Sequence, residues 1–297
     1  MIKSISSLVN YLLTYLGLRV VKVSKPDSRV KPRWANNLKF PNDHPLPEIL
    51  GLFPNYQTNL ANIAELVSLK YPEAGVVDVG ANIGDTAALI RSVSNQPIVC
   101  VEPDSLYYKY LESNSSTMND ITLCKCLLSD SCGIASDNYK VEHGNGTMRL
   151  IPGGENKITA STLDELISDL GVSYPIKLIK VDTDGFDLKI LRGGIVYIKS
   201  EMPVLFFEYD PSYLVTSDLQ YKETIQKLFH LGYQFVVIYD HLGRLLLWDN
   251  KSVVELVDQI DQYLRYEKRL LAYVDVCFIS NQDADVYEKL IESRIDI

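Results

Sequence analysis

Basic charge is scarce in this chain. Its 297 residues hold 29 Lys and Arg against 38 Asp and Glu, a formal net charge of −9 at pH 7. No large cationic surface is then expected to neutralise a phosphate backbone, and nucleic acid is a poor candidate partner. Paired CxxC spacing is also missing. The five cysteines, an odd number, stand at 100, 124, 126, 132 and 277 and read as reduced core residues of a cytoplasmic protein. Cys124, Cys126 and Cys132 suit plain strand alternation better than a metal cluster. Residues 1–23 are apolar but are broken by Ser4, Ser6, Ser7, Asn10 and Thr14 and offer no clear small-residue cleavage site. They make neither a convincing signal peptide nor a spanning helix. Ile5, Leu8, Leu12 and Leu16 recur at helical spacing. That stripe could lie on a membrane surface, on a partner or on the protein's own core, and self-packing is the simplest of the three. No internal repeat or low-complexity tract is present.

Hydrophobic residues make up 46% of the chain, enough to fill a large α/β core. Residues 24–55 are rich in Pro and show no sustained period, which predicts an irregular arm. The expected division is an N-terminal helix and arm over 1–55 and one domain over 56–297. From a helix at 59–69 onward, strands and helices alternate as in a parallel sheet. Strands are expected at 75–79, 98–102, 121–128, 177–181, 204–209, 235–239, 245–248 and 273–279, the last pairing antiparallel. Helices are expected at 85–92, 106–113, 163–170, 188–199, 219–231 and 253–267. Residues 133–151, with Gly144 and Gly146 near their middle, suit a hairpin-like insertion.

In an open α/β sheet the ligand sits beyond the carboxyl ends of the strands, where strand order reverses. The first strand runs into Asp78-Val79-Gly80-Ala81-Asn82-Ile83-Gly84-Asp85. Gly80 allows a tight turn and Gly84 a close helix start. This is not the GxGxxG of a pyrophosphate site, and Asp78 and Asp85 would repel phosphate. A sulfonium and ammonium ligand without phosphate, S-adenosylmethionine, fits better. The second strand ends on Glu102, about twenty residues after the turn, where an acid can accept from ribose hydroxyls.

The 177–181 strand ends on Asp182, followed by Thr183-Asp184-Gly185-Phe186-Asp187. Asp182 could hold the acceptor, the methionine ammonium or a metal, or act as general base. Asp187 suits a helix N-cap as well as a catalytic role. Glu208 closes the buried run 204–209 at the same sheet edge. Asp182, Asp184 and Glu208 together offer an oxygen-only set for Mg²⁺. His143 in the insertion and His241 in the late hairpin could each deprotonate a hydroxyl, though loop histidines are common.

The motifs VVDVGANIGD at 76–85, VEPD at 101–104, LSD at 128–130, STLDEL at 161–166 and IKLIKVDTDGFDLKILRGG at 176–194 resemble the FkbM family of class I methyltransferases over roughly residues 50–280. The resemblance implies a Rossmann-like, doubly wound α/β fold whose mostly parallel sheet has seven strands, the last antiparallel. It also implies methyl transfer from S-adenosylmethionine, usually to a hydroxyl of a sugar or natural product. Cofactor contacts carry over to Asp78, Gly80, Asn82, Gly84 and Glu102, with Asp130 near the adenine. The strand-four signature is usually closer to D-V-E-G-x-E. Asp184 and Asp187 stand where glutamates would, which keeps the charge and withdraws each carboxylate by one methylene. A glycan, glycolipid or small-molecule acceptor is the expectation, with peripheral membrane or partner contact through the N-terminal helix left open. An amine acceptor, a non-catalytic binding module and a nicotinamide oxidoreductase are the rivals.

Overall fold

The structure is a computed structural model that describes residues 32–213, 220–250, 253–266, 271 and 273–292. The apolar stripe of residues 1–23, the arm up to residue 31, and the expected helix ends at 219 and 267 lie outside these. The chain enters through a 3-10 turn at Arg33–Ala35 and helices α1 (Leu46–Leu52) and α2 (Thr58–Lys70). There follow β1 (Gly75–Val79), α3 (Asp85–Arg91), β2 (Ile98–Val101), α4 (Ser105–Ser115) and β3 (Ile121–Cys124). Four strands come next: β4 (Leu128–Ser129), β5 (Gly133–Gly144), β6 (Thr147–Pro152) and β7 (Asn156–Thr162). The second half is α5 (Leu163–Leu170), β8 (Ile176–Val181), α6 (Asp187–Gly193), α7 (Ile195–Glu201), β9 (Val204–Tyr209) and α8 (Tyr221–Leu231). It closes with β10 (Phe235–Asp240), β11 (Leu245–Asp249), α9 (Val253–Tyr266), β12 (Val274–Ile279) and α10 (Ala284–Glu292).

The main sheet has the order β11-β10-β12-β9-β8-β1-β2-β3. Strands β1, β2, β3, β8 and β9 pair in parallel. Strand β12 runs antiparallel to both β9 and β10. Period-two alternation divides the core between two faces. Val77, Val79, Val181 and Phe207 pack with residues of α5 to α9, whereas Val76, Leu178 and Phe206 pack with α2, α3, α4 and α10. The fold is thus doubly wound, α/β and Rossmann-like. Its strand count is eight rather than seven, because β11 extends the sheet beyond β10 through an antiparallel hairpin.

Two expected elements divide. The run 121–128 leaves the main sheet after Cys124, and Leu128–Ser129 pairs with β7 in a second sheet of order β4-β7-β5-β6. The helix expected over 188–199 breaks at Gly193-Gly194 into α6 and α7. A Cβ on Gly193 would lie 2.2 Å from the carbonyl oxygen of Ser129, and one on Gly194 would lie 2.6 Å from Leu163 Cδ2. The glycine pair lets the second sheet and α5 press against α6. The insertion is the expected hairpin, turned by Asn145 and Gly146, both at positive φ (52° and 81°) between the paired Gly144 and Thr147. Two consecutive left-handed residues match the twist of a two-residue hairpin.

Gly193→Ala is expected to cost about 1–3 kcal/mol by overpacking. It should lower the thermal midpoint by roughly 2–10 °C for a domain of this size, measured by differential scanning calorimetry. An unchanged midpoint would show that β4 yields without cost.

Candidate active site

Strand order reverses between β1 and β8, and the two strand ends build the site. Gly80 adopts φ +76°, and a Cβ there would sit 1.8 Å from the carbonyl oxygen of Asp182. Only glycine allows the β1 turn to pass so near the β8 turn. Beneath them Asp78 and Lys180 are cross-strand partners, 0% and 1% exposed. Lys180 Nζ lies 3.1 Å from Asp78 Oδ1 and donates to the carbonyl oxygen of Gly80 at 3.0 Å. Burial alone would lower the Lys180 pKa, but the carboxylates of Asp78 and Asp182 raise it above its usual value. Burial raises the Asp78 pKa despite the opposing cation. Asp78 therefore lies under the turn, where it is paired with Lys180, and lines neither cavity described below.

Two cavities flank these strand ends. The first is a narrow cleft lined by Glu102, Pro103, Tyr107, Cys126–Leu128, Phe186 and Ile190, among others. Glu102 is 5% exposed. Its Oε2 accepts the backbone N–H of Asn82 at 2.9 Å and its Oε1 that of Asp104 at 2.8 Å. Burial pushes its pKa up to about 7. The second cavity is larger and polar, with Asp85, Asp182, Asp184, Glu208, Asp210, Arg149, Lys180, Tyr56, Tyr213 and Tyr273 in its wall. Gly80, Asn82, Thr147 and Asp182 line both, so the two spaces meet at the β1 and β8 turns.

The insertion supplies part of this junction. Thr147 donates to Asp184 Oδ2 at 2.6 Å and Arg149 Nε to Asp184 Oδ1 at 3.1 Å. Arg149 also lies over the ring of Tyr213 at 4.7 Å. Asp187 accepts from the backbone N–H groups of Thr183 and Gly185 and so braces the loop from inside; burial, followed by the charge of Asp182, raises its pKa to about 7. Burial, then Asp182, pushes Glu208 well above the usual carboxylate range. Burial raises Asp85 to about 6.

Of the residues singled out in the sequence, Gly80, Asn82, Glu102, Asp182, Asp184 and Glu208 are brought together here. Others are not. Gly84, at φ +87°, serves the packing of α3, since a Cβ there would touch Leu111 Cδ1 at 3.0 Å. Asp130 is held by Arg192 at 2.6 Å, and the neighbouring 126–128 segment lines the first cavity instead. His143 lies 2.8 Å from Asp104 and His241 rests against Tyr273; neither lines either cavity. Among the described residues no group of three or more His, Cys, Asp and Glu is gathered as a metal site. The Mg²⁺ triad of Asp182, Asp184 and Glu208 is therefore not assembled, because Thr147 and Arg149 occupy both oxygens of Asp184. His44, Tyr107, Thr147 and Arg149 also line these cavities, and no local pattern in the sequence singles them out.

A mostly parallel sheet with an antiparallel β12 beside β9, open at its switch point to a cavity holding a strand-terminal acid, is the class I methyltransferase fold. A family model described as Methyltransferase FkbM domain matches residues 78–235, just over half of the chain. The chain belongs to the FkbM methyltransferase family. Among solved structures, the FkbM methyltransferase of Methylobacillus flagellatus is 17% identical, with 69% of this chain and 43% of that one covered and a TM-score of 0.41. The chain thus spans less than half of that protein's length. The fibrillarin pre-rRNA processing protein of Methanococcus jannaschii is 12% identical over 76% of each chain, with a TM-score of 0.42. A putative O-methyltransferase from Klebsiella pneumoniae is 9% identical over 92% of this chain and 96% of that one, with a TM-score of 0.41. No curated protein matches the chain.

Replacing Lys180 with Met is expected to destabilise the fold by about 3–5 kcal/mol, the cost of stranding a buried charge. Adding Asp78→Leu should recover most of that loss. Urea unfolding of the single and double variants is the check, and equal stability of Lys180→Met and wild type would remove the ion pair as a structural element.

Proposed function

We propose that this protein transfers the methyl group of S-adenosylmethionine to a hydroxyl of a sugar, glycan, glycolipid or small natural product. The supporting observation is the meeting of two unlike cavities at Gly80, Asn82, Thr147 and Asp182. The first is read as the adenosyl site from the chemistry of its lining. Glu102 presents a carboxylate whose remaining lone pairs can accept ribose hydroxyls, and Leu127, Leu128, Phe186 and Ile190 offer apolar surface to a base. The bound cofactor would supply an electrophilic methyl group. The chain's own part is to align the acceptor oxygen and remove its proton.

Asp182 is the first choice for both tasks. It stands in the wall shared by the cavities and its side chain is 40% exposed. Glu208 is the second, set deeper in the acceptor cavity. Tyrosines and carboxylates together suit a polyol, since rings cover sugar faces and carboxylates accept hydroxyl protons. An amine acceptor is the second reading. It is favoured by the acid excess of that cavity, where Lys180 and Arg149 are already paired with Asp78 and Asp184. A screen of hydroxyl against amine acceptors separates the two. Among the described residues no helix is long and apolar enough to cross a membrane.

Calorimetric titration with S-adenosylhomocysteine should give micromolar binding, about −8 kcal/mol, weakened at least roughly tenfold in Glu102→Ala. No binding by the wild type would remove the cofactor assignment. Asp182→Asn should lower turnover by about a hundredfold or more if Asp182 takes the proton, with S-adenosylhomocysteine binding kept. Retained turnover would transfer that role elsewhere.

The pH dependence of binding follows from Glu102. Its pKa is raised in the folded protein to about 7, so its contribution to stability is present in acid and is lost as pH rises through about 7. Hydroxyl donors need the carboxylate. Affinity for S-adenosylhomocysteine should accordingly climb between pH 6 and 8, about tenfold at most, and Glu102→Gln should flatten the profile. An equally steep profile in that variant would assign the titration to another group.

A further inference from the structure

We infer that His44, in the arm ahead of the family match, is a positioning residue that locks the cofactor turn through a hydrogen bond from its Nε2–H to Oδ1 of Asn82. The inference rests on the reading of the first cavity as an adenosyl site. The roles of the atoms are set by their other partners. His44 Nδ1 accepts the backbone N–H of Leu46 at 3.3 Å, so in the neutral ring the proton is on Nε2. Burial lowers the pKa of His44 and keeps that ring neutral. Asn82 Nδ2 donates to the carbonyl oxygen of Gly146 at 2.8 Å, which leaves Oδ1 as an acceptor. Among the described residues neither His44 Nε2 nor Asn82 Oδ1 has a hydrogen-bond partner, and both are buried.

The two groups are nonetheless neighbours. Asn82 and the Gly146 backbone both lie close enough to His44 to raise the basicity of the imidazole, and His44 Nε2 reaches hydrogen-bond geometry with neither. The Gly146 carbonyl already accepts from Asn82 Nδ2, which leaves Oδ1 as the unfilled acceptor. One is a donor, the other an acceptor, and each carries the desolvation cost of an unmade bond. A hydrogen bond between them would satisfy both.

Asn82 has reason to be held. It is one of the few non-glycine residues in the left-handed region, at φ 47°, and such a conformation persists where its surroundings over-determine it. Its own N–H is the donor that fixes Glu102 Oε2. A turn of the Asn82 peptide would therefore move the acid read as the ribose acceptor. His44 is itself clamped. A Cβ on Gly146 would fall 2.4 Å from Pro45 Cδ and 3.1 Å from His44 Nε2, so arm, hairpin tip and turn are packed without slack. The His44 ring also sits between those of Phe40 and Tyr107, at 5.9 and 6.4 Å, and Tyr107 lines the first cavity.

The test is a double-mutant cycle on the full chain, reading S-adenosylhomocysteine affinity by calorimetry and the midpoint of thermal unfolding. His44→Ala should weaken binding about tenfold, one hydrogen bond's worth, with the midpoint of the ligand-free protein within about 3 °C of wild type. His44→Gln carries an N–H donor of similar reach and should restore affinity to within about threefold. Asn82→Ala, which also loses the bond to Gly146 and puts Ala at positive φ, should cost at least as much as His44→Ala, and the double variant no more than Asn82→Ala alone. Losses that multiply in the double variant, failure of Gln to rescue, wild-type affinity in His44→Ala, or a large fall in its midpoint would each overturn the assignment. Absence of binding by the wild-type chain is a different result, because it removes the adenosyl reading itself.

Discussion

The buried pairing of Asp78 with Lys180 is the constraint on which the site depends. Both residues sit in the last layer of adjacent parallel strands, on the face covered by α2, α3 and α4, where an unpaired charge would be very costly. Lys180 repays its burial twice over, since it also donates to the carbonyl oxygen of Gly80. The same ammonium that neutralises Asp78 thus ties the β1 turn to β8. Gly80 then brings that turn within contact of the Asp182 backbone, and the junction of the two cavities is the result.

Above this floor the roof is built from two segments distant in the chain. The β5–β6 hairpin delivers Thr147 and Arg149 to Asp184, and its Gly146 tip accepts from Asn82. The arm packs His44 and Pro45 on that tip. Gln57, Asn82, Asn145 and Asp184, all at positive φ, line the second cavity. For Asn145 the hairpin turn explains the conformation; for the other three, the strain is concentrated where the chain must present polar groups to one space. Burial raises the carboxyl pKa values of Asp85, Asp184 and Glu208 along the same wall. A cleft lined by acids of raised pKa is chemically suited to holding and moving protons.

Much of the frame was legible in the residues. Strand alternation and strand-terminal acids placed β1, β2, β8 and β9, and Gly144 and Gly146 marked the hairpin, because these signals are local: side chains alternate every second residue and turns need particular φ values. Gly80, Glu102, Asp182 and Glu208 fell at strand ends for the same reason. The breaks after Cys124 and at Gly193-Gly194 were not legible. They arise from the close approach of β4 and α5 to α6, and a glycine pair looks the same whether or not a carbonyl lies 2.2 Å from it.

The sequence by itself determined the fold class, the carboxyl-edge position of the site and its acidic character, since each follows from hydrophobic period and residue type along a single element. Only the tertiary structure decided which acids are used and how. Asp78 faces inward because β8, about a hundred residues later, pairs with β1 and brings Lys180 to it. Asp130 is taken by Arg192, Asp184 by Thr147 and Arg149, and His44 joins the site in place of His143 and His241. The physical reason is that a side chain's charge state and reach depend on which strands and loops lie beside it. That neighbour order is a property of strand topology and is not written in any local pattern.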